Sequence, residues 1–208
     1  PLSYNGVSAA LYRNDGGLRF TDVTKEAGVL NAGGRGMSSV AADLNDDGWM
    51  DVYVANDSME NYFYENKGNG TFTDEALVLG LALGQNGQGV SSMGPAVADL
   101  DGDGSLDIMI PDMDYGSLLS KKGGFYQDLV GRSGLGVILG QYTGWGAVLF
   151  DYDNDSHPDL ASIILRDHRI RLTPMAGEVG AFAGEVELDV QGKGDLIADV
   201  TIGPMVRN

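Results

Sequence analysis

The sequence predicts an all-β chain built from repeated four-stranded units, on three observations. A nine-residue acidic turn recurs three times, as DLNDDGWMD from Asp43, DLDGDGSLD from Asp99 and DYDNDSHPD from Asp151, with starting points 56 and 52 residues apart. Short glycine-led apolar runs flank each copy: GMSSVAAD, MGPAVAD and GWGAVLFD before, DVYVAN, DIMIPD and DLASII after. Glycine is abundant, at 32 of 208 residues against 6 prolines, which suits tight turns between short strands. A four-stranded repeat of about 50 residues favours a β-propeller over a sandwich or barrel.

The elements follow in chain order. Residues 1–36 hold one hairpin, ALYRNDGGLRFTDVT from Ala10, with no acidic turn before it; it reads as the outer half of a first blade. Residues 37–91 form a whole blade, with the acidic turn 43–51 between two inner strands and NYFYENKGNGTFTDEA from Asn61 as the outer hairpin. Residues 92–143 repeat this with the turn 99–107 and GSLLSKKGGFYQDLV from Gly116. Residues 144–208 begin a third blade with the turn 151–159, then diverge; VELDVQGKGDLIADV from Val186 is the expected outer hairpin, after a long connection. About three and a half blades are visible. An open propeller exposes strand edges, so the expectation is a partial ring or fragment completed by further residues, a second copy or another protein.

Nine residues carrying so many carboxylates repel one another unless a cation offsets the charge. Calcium takes six to eight oxygens in flexible geometry, and carboxylates at alternate positions of a tight turn converge on one point. The candidate ligands are Asp43, Asn45, Asp47, Asp51 and the Trp49 carbonyl; Asp99, Asp101, Asp103, Asp107 and the Ser105 carbonyl; and Asp151, Asp153, Asp155, Asp159 and the His157 carbonyl. That gives about three calcium ions. Gly48 and Gly104 stand where the chain must turn sharply, and Ser156 takes that place in the third loop. An EF-hand would need Glu at the twelfth position, where Val54, Ile110 and Ser162 stand.

These turns, with the LYRNDGG…FTDVT and GTFTD hairpins, resemble the FG-GAP/VCBS repeat. LYRNDGGLRFTDVTKEAGV and TGWGAVLFDYDND are similar, more narrowly, to the ASPIC/UnbV type. The resemblance covers about Ala10 to Leu160. It implies a calcium-stabilised, usually seven-bladed propeller, exported from the cell and related in repeat type to the integrin α-chain head, with the acidic-turn residues as calcium ligands. It implies no single activity, because fold does not carry function.

Other readings are weaker. The formal net charge of −17 lacks the basic footprint of a nucleic-acid binder. No run is long enough for a membrane-spanning helix, and the absence of cysteine excludes disulfides and thiolate metal sites. The chain begins at Pro1 with no visible signal peptide, which reads as processing, and the expected location is secreted, cell-surface or periplasmic. Neither His157 nor His168 has a partner suggesting catalysis, and no P-loop, zinc-protease or serine-elbow motif is present. GLGVILG from Gly134 reads as a glycine-rich linker between blades. Partner contacts are expected at the one basic cluster, Arg166, Arg169 and Arg171, and at Trp49 on a loop tip. The leading expectation is therefore a non-enzymatic calcium-binding interaction scaffold. The alternatives are a carbohydrate-binding module or lectin, with glycan as ligand, and a non-catalytic portion of a polysaccharide-degrading enzyme.

Overall fold

The computed structural model describes residues 5–165, 172–174, 182–188 and 196–203. Four antiparallel sheets follow one another along the chain. The first has two strands, β1 (Tyr12–Gly16) and β2 (Arg19–Asp22). The second is a meander of β3 (Gly36–Ala42), β4 (Asp51–Asn56), β5 (Tyr62–Asn66) and β6 (Phe72–Asp74), followed by the helical turn α1 (Ala76–Leu79). The third repeats that order with β7 (Ala96–Ala98), β8 (Asp107–Ile110), β9 (Ser117–Lys122) and β10 (Phe125–Asp128). Two helical turns come next, α2 (Val130–Ser133) and α3 (Leu135–Leu139). The fourth sheet contains β11 (Thr143–Phe150), β12 (Asp159–Leu165), β13 (Leu172–Pro174), β14 (Phe182–Leu188) and β15 (Leu196–Gly203). This is an all-β partial propeller of half a unit, two whole units and one divergent unit.

Period-two alternation decides how the sheets stack. On β4, Val52 and Val54 face the first sheet while Tyr53 and Ala55 face the third. On β8, Ile108 and Ile110 face back to the second sheet, and Met109 faces forward to Leu160 and Ile164 of β12. Each junction between neighbouring sheets thus has its own apolar core, and the largest buries Leu44, Tyr53, Phe63, Leu81, Ile108 and Leu119. Innermost strands also meet directly. Gly94 donates to the Trp145 carbonyl, and a Cβ on Gly94 would stand 3.0 Å from that oxygen. Farther out, an aspartate closes each outer hairpin of the complete units. Asp74 Oδ1 accepts the Phe63 and Ala76 N–H groups, as Asp128 Oδ1 accepts those of Leu118 and Val130.

GLGVILG runs between the third and fourth sheets, and within it Leu135–Leu139 is a helical turn whose Leu139 is buried with Val130 beneath the third sheet. One expectation is corrected. The hairpin from Val186 does pair within the fourth sheet, but in reversed order, β11-β12-β15-β14-β13. The last strand, not the next one along the chain, lies beside β12, with Leu160 opposite Gly203 and Leu165 opposite Ala198. β13 takes the outer edge, β14 and β15 follow inward, and every neighbouring pair is antiparallel.

Candidate metal centres

The three acidic turns share one backbone design. The first aspartate accepts the N–H groups of the fifth and sixth residues: Asp43 from Asp47 and Gly48, Asp99 from Asp103 and Gly104, Asp151 from Asp155 and Ser156, all between 2.8 and 3.2 Å, and Asp99 accepts that of Gly102 as well. The ninth aspartate accepts the N–H of the second residue, as in Asp51 with Leu44, Asp107 with Leu100 and Asp159 with Tyr152. The fifth aspartate accepts from the seventh N–H, as in Asp47 with Trp49, Asp103 with Ser105 and Asp155 with His157. Two positive-φ residues make the turn tight. They are Asp46 and Gly48, Gly102 and Gly104, Asn154 and Ser156. Ser156, at φ 71°, takes up the left-handed shape that glycine supplies in the other loops.

Convergence selects among the candidate residues. Carboxylate oxygens of Asp99, Asp101 and Asp107 lie within 4.8 Å of one another, and so do those of Asp151, Asp153 and Asp159. These are the first, third and ninth positions. In the first loop the third position is Asn45, whose amide donates to Asp47. The fifth-position aspartates use one oxygen to hold the turn. The seventh residues Trp49, Ser105 and His157 are tied in through their N–H groups, which orders the backbone whose carbonyls are the expected ligands. The hard oxygen set fits calcium, which takes carboxylate and carbonyl ligands in irregular geometry.

Electrostatics set the ninth aspartate apart. Burial, chiefly, pushes the carboxyls of Asp51, Asp107 and Asp159 above the usual carboxylate range, and neighbouring loop aspartates add to it. Their accepted N–H bonds pull the other way, and the net result is three buried acids whose charge the fold disfavours without a cation.

Several participants escape a motif search. Lys122 on β9 donates to Asp101 Oδ2 at 2.6 Å and to Asp103 Oδ2 at 2.9 Å. This holds Asp103 below the ordinary carboxylate range, with the Lys122 bond as the main cause. Lys121 reaches across the sheet junction to Asp46 Oδ2 at 2.7 Å and to the Leu44 carbonyl, and Ser105 also donates to Asp46. The first and second loops are thereby linked. The signal for this in the sequence is the KK pair before Gly123, which gives no direction.

Of the expected partner contacts, Trp49 is half exposed, with its indole against Gly68. Arg166, Arg169, Arg171 and His168 lie outside the described residues. Tyr62, Phe63 and Tyr64 are buried as packing groups. Among the described residues, no helix is long and apolar enough to cross a membrane.

The FG-GAP-like repeat model matches residues 2–54 and 43–110. The chain is 36% identical over 94 residues to "Cartilage acidic protein 1" of Homo sapiens, a match covering 44% of this chain and 13% of that protein. The Mus musculus protein of that name gives 36% over 94 residues, with 44% and 14% covered, and the Xenopus tropicalis one 33% over 91 residues, with 43% and 13% covered. The match thus spans about an eighth of these relatives' length. With the matched repeats covering more than half of the sequence, and the same loop and hairpin geometry recurring in the sheets, the chain belongs to the FG-GAP-like repeat family.

Proposed function

We propose that this chain is a calcium-stabilised propeller segment that serves as a non-catalytic interaction scaffold outside the cytoplasm, in a secreted, cell-surface or periplasmic protein. One observation carries the calcium reading: three separate loops adopt the same hydrogen-bonded turn, and two of them gather three carboxylates within 4.8 Å. The ligands are the first, third, fifth and ninth side chains and the seventh carbonyl of each loop, that is Asp43, Asn45, Asp47, Asp51 and Trp49 and their counterparts. Each ion lies at the end of an inner hairpin and neutralises a buried aspartate there. Its role is structural, fixing the strand pair on which the sheet is built. Residues 37–91, 92–143 and 144–208 act as successive blades.

The scaffold reading follows from the repeat architecture and the exposed loops at its rims. Similarity to a cartilage protein supports an extracellular setting.

Melting the protein in calcium and again after chelation tests the metal reading. Binding to the folded state alone adds about 2.7 kcal/mol per site when free calcium is a hundredfold above Kd. Chelation is therefore expected to lower Tm by well over 5 °C, and superimposable curves would overturn structural calcium.

A further inference from the structure

The fourth position of the acidic turn lies outside the ligand set, yet in the first loop it carries a carboxylate. It is Asp46, where the other loops have Gly102 and Asn154, and the three take φ values of 65°, 73° and 60°. An aspartate in this left-handed shape is more strained than glycine, and it adds like charge to a loop already crowded with carboxylates. Its partners lie across the junction between the second and third sheets. Asp46 Oδ2 accepts from Lys121 Nζ on β9 at 2.7 Å and from the hydroxyl of Ser105 in the second loop at 3.2 Å.

A second link runs through the backbone of the two loops. The Leu44 carbonyl accepts from Lys121 Nζ at 3.2 Å and from the Tyr126 hydroxyl at 2.9 Å. The same hydroxyl stands 3.0 Å from the Leu106 carbonyl. Both leucines belong to the candidate metal loops. Leu44 follows Asp43 and donates its N–H to Asp51, while Leu106 lies between Ser105 and Asp107. Tyr126 is buried and the Lys121 side chain is only 11% exposed, so both groups have little freedom to turn elsewhere.

We propose that these contacts couple the first two loops: calcium in 43–51 raises the affinity of 99–107 for calcium, and filling 99–107 does the same for 43–51. The proposal rests on the calcium reading. The route is ordering. An ion held by Asp43 and Asp51 fixes the backbone between them, and with it the Leu44 carbonyl and Asp46. These hold Lys121, Tyr126 and Ser105 in turn. Ser105 carries the seventh carbonyl of the second loop, and Leu106 leads directly into its ninth carboxylate. The second ion therefore has fewer groups left to order when it binds. The sign separates this from simple electrostatics. Two divalent ions repel, so charge alone makes each weaken the other.

The test is a calcium titration of the whole protein in calcium buffers, followed by NMR at the amides of Gly48 and Gly104. Each donates to the first aspartate of its own loop, so each reports that loop alone. Asp101→Ala, an exposed change that removes a second-loop ligand without touching the link, should move the Gly48 midpoint to about fivefold higher calcium, the lower end of ordinary coupling between sites. By reciprocity, Asn45→Ala in the first loop should move the Gly104 midpoint in the same direction. Asp46→Asn gives the first loop a residue that the third already carries in this left-handed position, and Tyr126→Phe removes the hydroxyl. With both in place, Asp101→Ala should no longer move the Gly48 midpoint. Asp153→Ala, which takes the same charge from the third loop, should leave it in place. A Gly48 midpoint that Asp101→Ala leaves unmoved or moves to lower calcium would overturn the coupling. A move that survives Asp46→Asn with Tyr126→Phe, or that Asp153→Ala reproduces, would overturn its assignment to these residues. Amides of both loops that stay unmoved by calcium would overturn the calcium reading instead.

Discussion

Tyr12 and Tyr64 occupy the same place in two hairpins of one design, YRNDGGLRFTD and YENKGNGTFTD, yet Tyr12 is 57% exposed and Tyr64 4%. Phe20 and Phe72 differ in the same direction. Local pairing is not the cause, since both segments form antiparallel hairpins. The difference is the inner strand pair, which lies beside β5 and has no counterpart beside β1 among the described residues. A repeat motif therefore specifies the shape of a hairpin, and its neighbour decides whether the aromatic groups stabilise it.

The sharpest way to break that comparison is to truncate both tyrosines. Tyr64→Ala opens a cavity in the core shared with Val54 and Tyr62 and should cost about 3–5 kcal/mol in denaturant unfolding. Tyr12→Ala should stay within about 0.5 kcal/mol, as for other exposed sites. Equal costs would mean that the first hairpin is covered in solution.

A smaller effect compares the ends of β4 and β8. Asn56 on one is Asp112 on the other, both buried. Asp112 accepts the N–H groups of Asp114 and Gly116, but desolvation dominates and pushes its carboxyl up, with Asp114 and Asp128 adding repulsion. Because the folded-state value is raised, this group contributes stability that grows as pH falls through that value and is lost as pH rises to neutrality. Asp112→Asn should therefore stabilise the protein at pH 7 by about 1 kcal/mol and flatten the slope of stability between pH 7 and 4. An unchanged slope would show that Asp112 is solvated.

The smallest effect concerns the third loop. Ser156→Gly removes the strain of a left-handed serine but loosens the unfolded chain, so the net change should lie within about 0.5 kcal/mol in favour of the variant. A clear loss would mean that the serine side chain holds the loop in another way.

The acidic turns, their spacing, the inner and outer hairpins and the all-β class were legible because each is a local pattern: period-two alternation, turn residues at fixed offsets, carboxylates at alternate positions. The reversed order in the fourth sheet was not, because strand order depends on which edge is free when the chain returns. The helical turn over GLGVILG was not either, since Leu139 is held by burial against Val130 and not by propensity.

By itself, then, the sequence determined the repeat, the loops with their candidate oxygen ligands, and the family, through short-range stereochemistry that any chain with these residues obeys. Only the tertiary structure decided that Lys122 and Lys121 turn onto the loops, that Asp51, Asp107 and Asp159 lose their solvent, and that Leu11, Val52, Val54 and Tyr64 line one apolar groove. Each of these depends on atoms brought together across a sheet or a junction, where distance along the chain carries no information about distance in space.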